Sequence, residues 1–177
     1  MRLFVALDLP ADARAALAAW ADAAAPVAVR RVPEANLHVT LAFLGTRSEA
    51  DAGAVGALLE GLVRPLGPLH SAGALWLPPR RPGVLAVALR GGQDLSSLQA
   101  DLVAGLAAAI GFEAERRPFR PHVTVGRVRR GTPVDTQRAL DPPAPELAFA
   151  PAALTLYRSH TGAGGAHYEP LARAGVA

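Results

Sequence analysis

The chain has 177 residues, enough for one folded unit with a sizeable core, and at 51% hydrophobic it is not a disordered chain. The absence of cysteine excludes disulfides, thiolate metal sites and a cysteine nucleophile. All 18 basic residues are arginine and the net charge is +3, but the matching excess of Ala, Gly and Pro is what a GC-rich coding sequence produces, so arginine position is informative where arginine count is not.

Residues 2–9 read as an apolar first strand bounded by Pro10, and the Ala-rich run 11–25 as a helix ended by Pro26. Residues 37–44, LHVTLAFL, form a β-branched and apolar strand closed by Gly45. Ser48 is placed to cap a second helix running to about Val63, with Glu49 and Asp51 in its first turn. Residues 69–77 and 84–89 read as two strands joined by the turn-rich PPRRPG segment. Asp94 or Ser96 is expected to cap a third helix through Ile110, stopped by Gly111. A strand at 122–128 follows, then strands around 147–157 and 168–171. This mixture predicts an α+β arrangement with mostly antiparallel sheets and, for want of a polar linker, one domain over residues 1–177. The N-terminal apolar run is too short for a secretory signal, and no stretch approaches the roughly 20 apolar residues of a membrane span. A soluble, cytoplasmic protein is the expectation.

Two segments repeat. LHVTLAFLG at 37–45 and PHVTVGRV at 121–128 share His-Val-Thr, and their histidines, His38 and His122, stand 84 residues apart, near half the chain. Alternate side chains of a strand share a face, so His38 points with Thr40, and His122 with Thr124. The same alternation sends Phe43 to the opposite face, as a core residue under a helix rather than a platform for a base. Two such strands facing each other would offer two imidazoles and two hydroxyls to one point. Neutral imidazole takes a proton from water and imidazolium gives one to a leaving oxygen, while the hydroxyls donate to phosphate oxygens. A zinc site is the weaker reading, because no third ligand stands at a suitable spacing beside either motif.

With MRLFVALDLP at the start, PEANLHVTLAFLG at 33–45, RPFRPHVTVGRV at 117–128, LTLYRS at 154–159 and HYEPL at 167–171, the chain resembles the 2H phosphoesterase superfamily. Within it, the chain resembles the bacterial and archaeal RNA 2′,3′-cyclic phosphodiesterases once called 2′-5′ RNA ligases. The resemblance departs at Arg31, where relatives often carry an aromatic residue. It implies a bilobal pseudo-twofold fold, with two mostly antiparallel sheets lining a central cleft and helices outside. It further implies hydrolysis of an RNA 2′,3′-cyclic phosphate to a 2′-phosphate without metal or cofactor, with nucleotides as further possible ligands. By analogy His38 would protonate the departing 3′ oxygen and His122 would activate water, with Thr40 and Thr124 on phosphate oxygens; the two histidine roles could be exchanged.

Arg120 shares parity with His122 and would flank the site. Arg127 has the opposite parity, yet relatives place an arginine here against substrate, and a bulge at Gly126 would bring it round. Arg80, Arg81, Arg116, Arg117, Arg129 and Arg130 form three pairs in turns or strand ends, as a cleft rim or as solvated loops. His70, His160 and His167 lack a motif and are read as structural, and the Gly-rich TGAGG turn is too short for a phosphate loop. The competing functions are an RNA- or nucleotide-binding module with little turnover, a 2′-5′ ligase, and a phosphodiesterase of small cyclic nucleotides. A monomer is expected.

Overall fold

The computed structural model describes residues 1–79, 81–162 and 165–176. Its first strand, β1 (Arg2–Asp8), is followed by α1 (Ala11–Ala24), a short β2 (Val29–Arg31) and one 3-10 turn (Glu34–Asn36). Next come β3 (His38–Thr46), α2 (Glu49–Gly61), β4 (Leu69–Leu77), β5 (Val84–Arg90) and α3 (Gln93–Ile110). The chain finishes with β6 (His122–Val128), β7 (Ala148–Phe149), β8 (Ala153–Gly162) and β9 (Gly165–Gly175).

The local signals act as the residues dictate, with three departures. Ser48 caps α2 in a capping box with Asp51, and Gly111 ends α3 in the left-handed conformation at φ 61°. The cap of α3, however, is Gly92 with no side-chain bond, which leaves Asp94 in the first turn. The single strand expected around 147–157 is two, β7 and β8. Pro151, which has no N–H for a ladder, lies between them. The third departure is β2, three residues that the sequence did not announce.

All strand pairs are antiparallel, in the order β7-β4-β5-β6-β3-β1-β8-β9 with β2 added to β6. The fold is α+β, a curled sheet in two halves. One half is β3-β1-β8-β9 and the other β6-β5-β4-β7, and they meet at a single registered pair, Val39 with Val123. The halves correspond: β1 leads through α1 to its neighbour β3, as β5 leads through α3 to its neighbour β6. Helices cover the apolar face, where Val39, Val123, Leu98, Leu102, Leu106, Leu17 and Leu154 are fully buried in one core. The face that carries the histidines stays open.

Candidate active site

Because β3 and β6 run antiparallel through Val39 and Val123, His38 lies across from Thr124 and Thr40 across from His122. The two valines point into the core, so all four polar side chains share the open face. Both motifs then break the strand alternation at the same place. Opposite Val5 and Ala6 of β1, β3 carries one extra residue, Leu41; opposite Leu85 and Ala86 of β5, β6 carries one extra residue, Val125. Each bulge lets two successive residues, Leu41 with Ala42 and Val125 with Gly126, face the core. The fifth residue after each histidine therefore returns to the site face.

On β6 that residue is Arg127, exposed beside the groove, as a bulge at Gly126 would require. Gly126 serves a further purpose, since a β carbon there would stand 2.3 Å from Val29 Cγ1, so its absence lets β2 lie against β6. On β3 the equivalent residue is Phe43, which corrects the core assignment. It is 63% exposed on the site face, with its ring 6.1 Å from Phe4. An exposed aromatic ring at this point has the shape and chemistry to stack a base.

The imidazoles are held alike. The Nδ1–H of His38 donates to the Asn36 carbonyl at 2.8 Å, and the Nδ1–H of His122 donates to the Arg120 carbonyl at 2.7 Å. A carbonyl only accepts, so both rings present Nε2 to the groove. The Thr40 hydroxyl donates to the bare Nε2 of His38 at 3.0 Å. His38 is also walled by aromatic rings, with Phe4 at 4.9 Å and Tyr168 edge-on at 5.3 Å. Burial pushes its pKa down to about 4, helped by the charges of Arg127 and His122 and opposed by the Asn36 bond and Asp8. Asp8, the cross-strand partner of His38, is itself buried. It accepts from Thr155 Oγ1 at 3.0 Å, Tyr157 Oη at 2.8 Å and Arg173 Nε at 3.0 Å. Burial, and then the bond and charge of Asp8, keep the Tyr157 phenol above its ordinary range and protonated.

A model of the 2′-5′ RNA ligase superfamily matches residues 9–163. The chain belongs to that superfamily. It is 35% identical to the RNA 2′,3′-cyclic phosphodiesterase of Escherichia coli K12, covering 97% of this chain and 94% of that protein. It is 33% identical to the enzyme of the same name from Thermus thermophilus, over 75% and 71% of the two chains. Among solved structures it superposes on a Thermus thermophilus protein with a TM-score of 0.83 at 29% identity, covering 99% and 98% of the chains. It also superposes on E. coli LigT complexed with 3′-AMP, with a TM-score of 0.79 at 32% identity, covering 99% and 97%.

The remaining candidates fall on both sides of this superfamily site. Arg120 precedes β6, and it is its carbonyl that accepts from His122, while its side chain is exposed. Arg81, Arg116, Arg117, Arg129 and Arg130 are exposed, with Arg117 paired to Glu115 at 3.1 Å, and Arg80 lies outside the described residues, as does part of the TGAGG turn. His160 donates to Glu169 at 2.8 Å and stands across β8–β9 from His167, while His70 faces Arg90 across β4–β5. Phe43 and the aromatic wall of His38 were missed, although the repeat itself carried the signal for Phe43. Whatever lies five residues after one histidine has its counterpart five residues after the other. Among the described residues no three His, Asp or Glu side chains converge as a metal-ligand group, and no helix is long and apolar enough to cross a membrane.

Proposed function

We propose that this chain hydrolyses RNA 2′,3′-cyclic phosphate ends to 2′-phosphates, with proton transfers carried by His38 and His122 rather than by a metal. The reading rests on the convergence of the two His-Val-Thr motifs at the Val39–Val123 pair, flanked by Phe43 at one end and Arg127 at the other. The relatives' shared activity supports the reaction, and the unlike ends give it a direction. In a ribose, C1′ carries the base beside C2′, and C4′ carries the 5′ chain beside C3′. A base stacked on Phe43 thus turns the 2′ side toward that end and the 3′ side toward Arg127. Along antiparallel β3 and β6, His122 lies nearer Phe43 and His38 nearer Arg127. His38 is therefore the acid for O3′, and His122 takes the proton of a water attacking in line from the other side. As water adds to phosphorus the P–O3′ bond breaks, and the 2′ ester remains. Thr40, Thr124 and Arg127 hold the non-bridging oxygens, where charge accumulates.

In the free protein His38 is neutral, so it takes up a proton from solvent as substrate binds. The anionic phosphate favours the imidazolium and offsets Arg127, one of the charges that lower the His38 pKa. The lowered pKa favours the exchanged assignment, in which neutral His38 is the base, and a sulfur substitution separates the two. A cyclic substrate with sulfur at the 3′ position needs no acid, so it should rescue His38→Ala and leave His122→Ala impaired; the opposite pattern exchanges the roles. The parent experiment is turnover of a short RNA 2′,3′-cyclic phosphate in excess EDTA. A 2′-phosphate product is expected, and His38→Ala and His122→Ala should each lower the rate by about 10²–10⁴. Near-normal turnover by either variant, or activity only with added divalent ion, refutes the mechanism. Both motifs stand within one chain, which suits a monomer, and an RNA substrate suits the cytoplasm.

A further inference from the structure

We infer that Arg30, opposite Arg127 on the neighbouring strand, forms a second anion subsite for the phosphodiester one nucleotide upstream of the cyclic end. β2 crosses from its own half of the chain to pair with β6, and the register sets Arg30 directly opposite Arg127. Directly opposed strand residues project to one face, so the two arginine side chains leave the sheet on the same side. Like charges in that position repel, and among the described residues neither makes an ion pair. The neighbour Arg31 differs: its side chain turns back to the end of α1, bonding the Ala21 and Asp22 carbonyls and the Asp22 carboxylate. Arg31 also borders the groove, but its guanidinium is engaged there, whereas among the described residues that of Arg30 has no hydrogen-bond or ion-pair partner.

Arg30 and Arg127 line one cavity of about 80 Å³ with Asn36, Ala166 and Tyr168. Its wall is built, because Asn36 Nδ2–H donates to the Ala166 carbonyl at 2.7 Å and Tyr168 packs edge-on against His38. A forked donor beside the arginine that holds the reacting phosphate, at the mouth of a small cavity with no carboxylate in its described lining, matches a second phosphate.

The inference rests on the phosphodiesterase reading, which sets the ligand's direction. With the base on Phe43 and the C2′–C3′ edge at the histidines, C4′ and the 5′ oxygen leave toward Arg127 and Arg30. The next phosphate of the strand lies on that path. Arg30 would then distinguish an RNA end from a free cyclic mononucleotide.

The test compares three substrates with the same terminal nucleoside 2′,3′-cyclic phosphate: the mononucleotide, the dinucleotide, and the dinucleotide whose internal linkage is an uncharged methylphosphonate. For the wild type, kcat/KM should favour the charged dinucleotide over the methylphosphonate by about tenfold, the scale of one phosphate contact. Arg30→Gln should abolish that preference while its mononucleotide turnover moves less than about twofold, and the salt dependence for the charged dinucleotide should fall by about one counterion. Equal turnover of the two dinucleotides by the wild type overturns the subsite without any variant. An equal loss on all three substrates by Arg30→Gln also overturns it, assigning Arg30 to the reacting phosphate or to the fold. Failure of the wild type to hydrolyse any of the three removes the phosphodiesterase reading itself, and the subsite with it.

Discussion

Gly126→Ala tests how tightly β2 is seated on β6. The added β carbon would stand 2.3 Å from Val29 Cγ1, with the Arg30 carbonyl oxygen at 3.5 Å and Leu85 Cβ at 3.8 Å. Carbon atoms rest at about 3.5–4.0 Å, so Val29 must retreat by about 1.2 Å or more. Val29 is 1% exposed and β-branched, with little rotamer freedom, so the strand itself has to move. Overpacking of this kind costs about 1–3 kcal/mol. Replacing glycine in a strand returns about 0.5–1 kcal/mol, because Gly126 is not in the left-handed region and alanine fits its backbone. With Val29 held as tightly as this, the net loss, centred near about 1 kcal/mol, lowers Tm by about 2–4 °C for a chain of this size. Thermal unfolding of the single variant, and of Gly126→Ala combined with Val29→Ala, measures it. The double variant should lose less than the sum of the singles, with a coupling of about 1 kcal/mol. An unchanged Tm for Gly126→Ala, or strict additivity, refutes the contact as the reason glycine stands there.

Two further outcomes follow from the site. Phe43→Ala removes a stacking surface worth about 1–3 kcal/mol per base, so KM for a cyclic-phosphate RNA should rise about tenfold or more. At 63% exposure the residue contributes little to the core, so Tm should hold; a fall in Tm with KM unchanged would return Phe43 to a packing role. His38 has a folded-state pKa of about 4, below its ordinary 6.5, so between these values the unfolded chain binds the proton that the folded chain refuses. Its contribution is fully present above pH 6.5 and is lost as pH falls toward 4. Urea unfolding at pH 7 and pH 4.5 should therefore show a smaller loss of stability for His38→Gln than for wild type, and parallel losses would contradict the depressed pKa.

Much of the site was legible because strand chemistry is periodic. A histidine and a threonine two residues apart share a face whatever the tertiary fold, and the repeat supplied the second pair. Alternation failed where each strand bulges. At Gly126 the glycine flags the irregularity that turns Arg127 to the open face, but Ala42 gives no such mark, and alternation alone sends Phe43 to the wrong face. β2 was missed because Val29–Arg31, between Pro26 and Pro33, is too short and charged to show a pattern, and its partner lies about a hundred residues away. The tautomers of both histidines were also out of reach, since they are fixed by carbonyls of Asn36 and Arg120 that any residue would supply.

The crossing of β2 onto β6, and of β8 onto β1, bears on whether either half of the sheet can stand alone. Each half of the sheet is completed by a strand taken from the opposite part of the chain. A cut between β3 and α2 would strand β2 on the fragment that does not need it, and would deprive β1 of its outer neighbour. Neither half can therefore be excised as a complete sheet, and the groove exists only as the joint product of both.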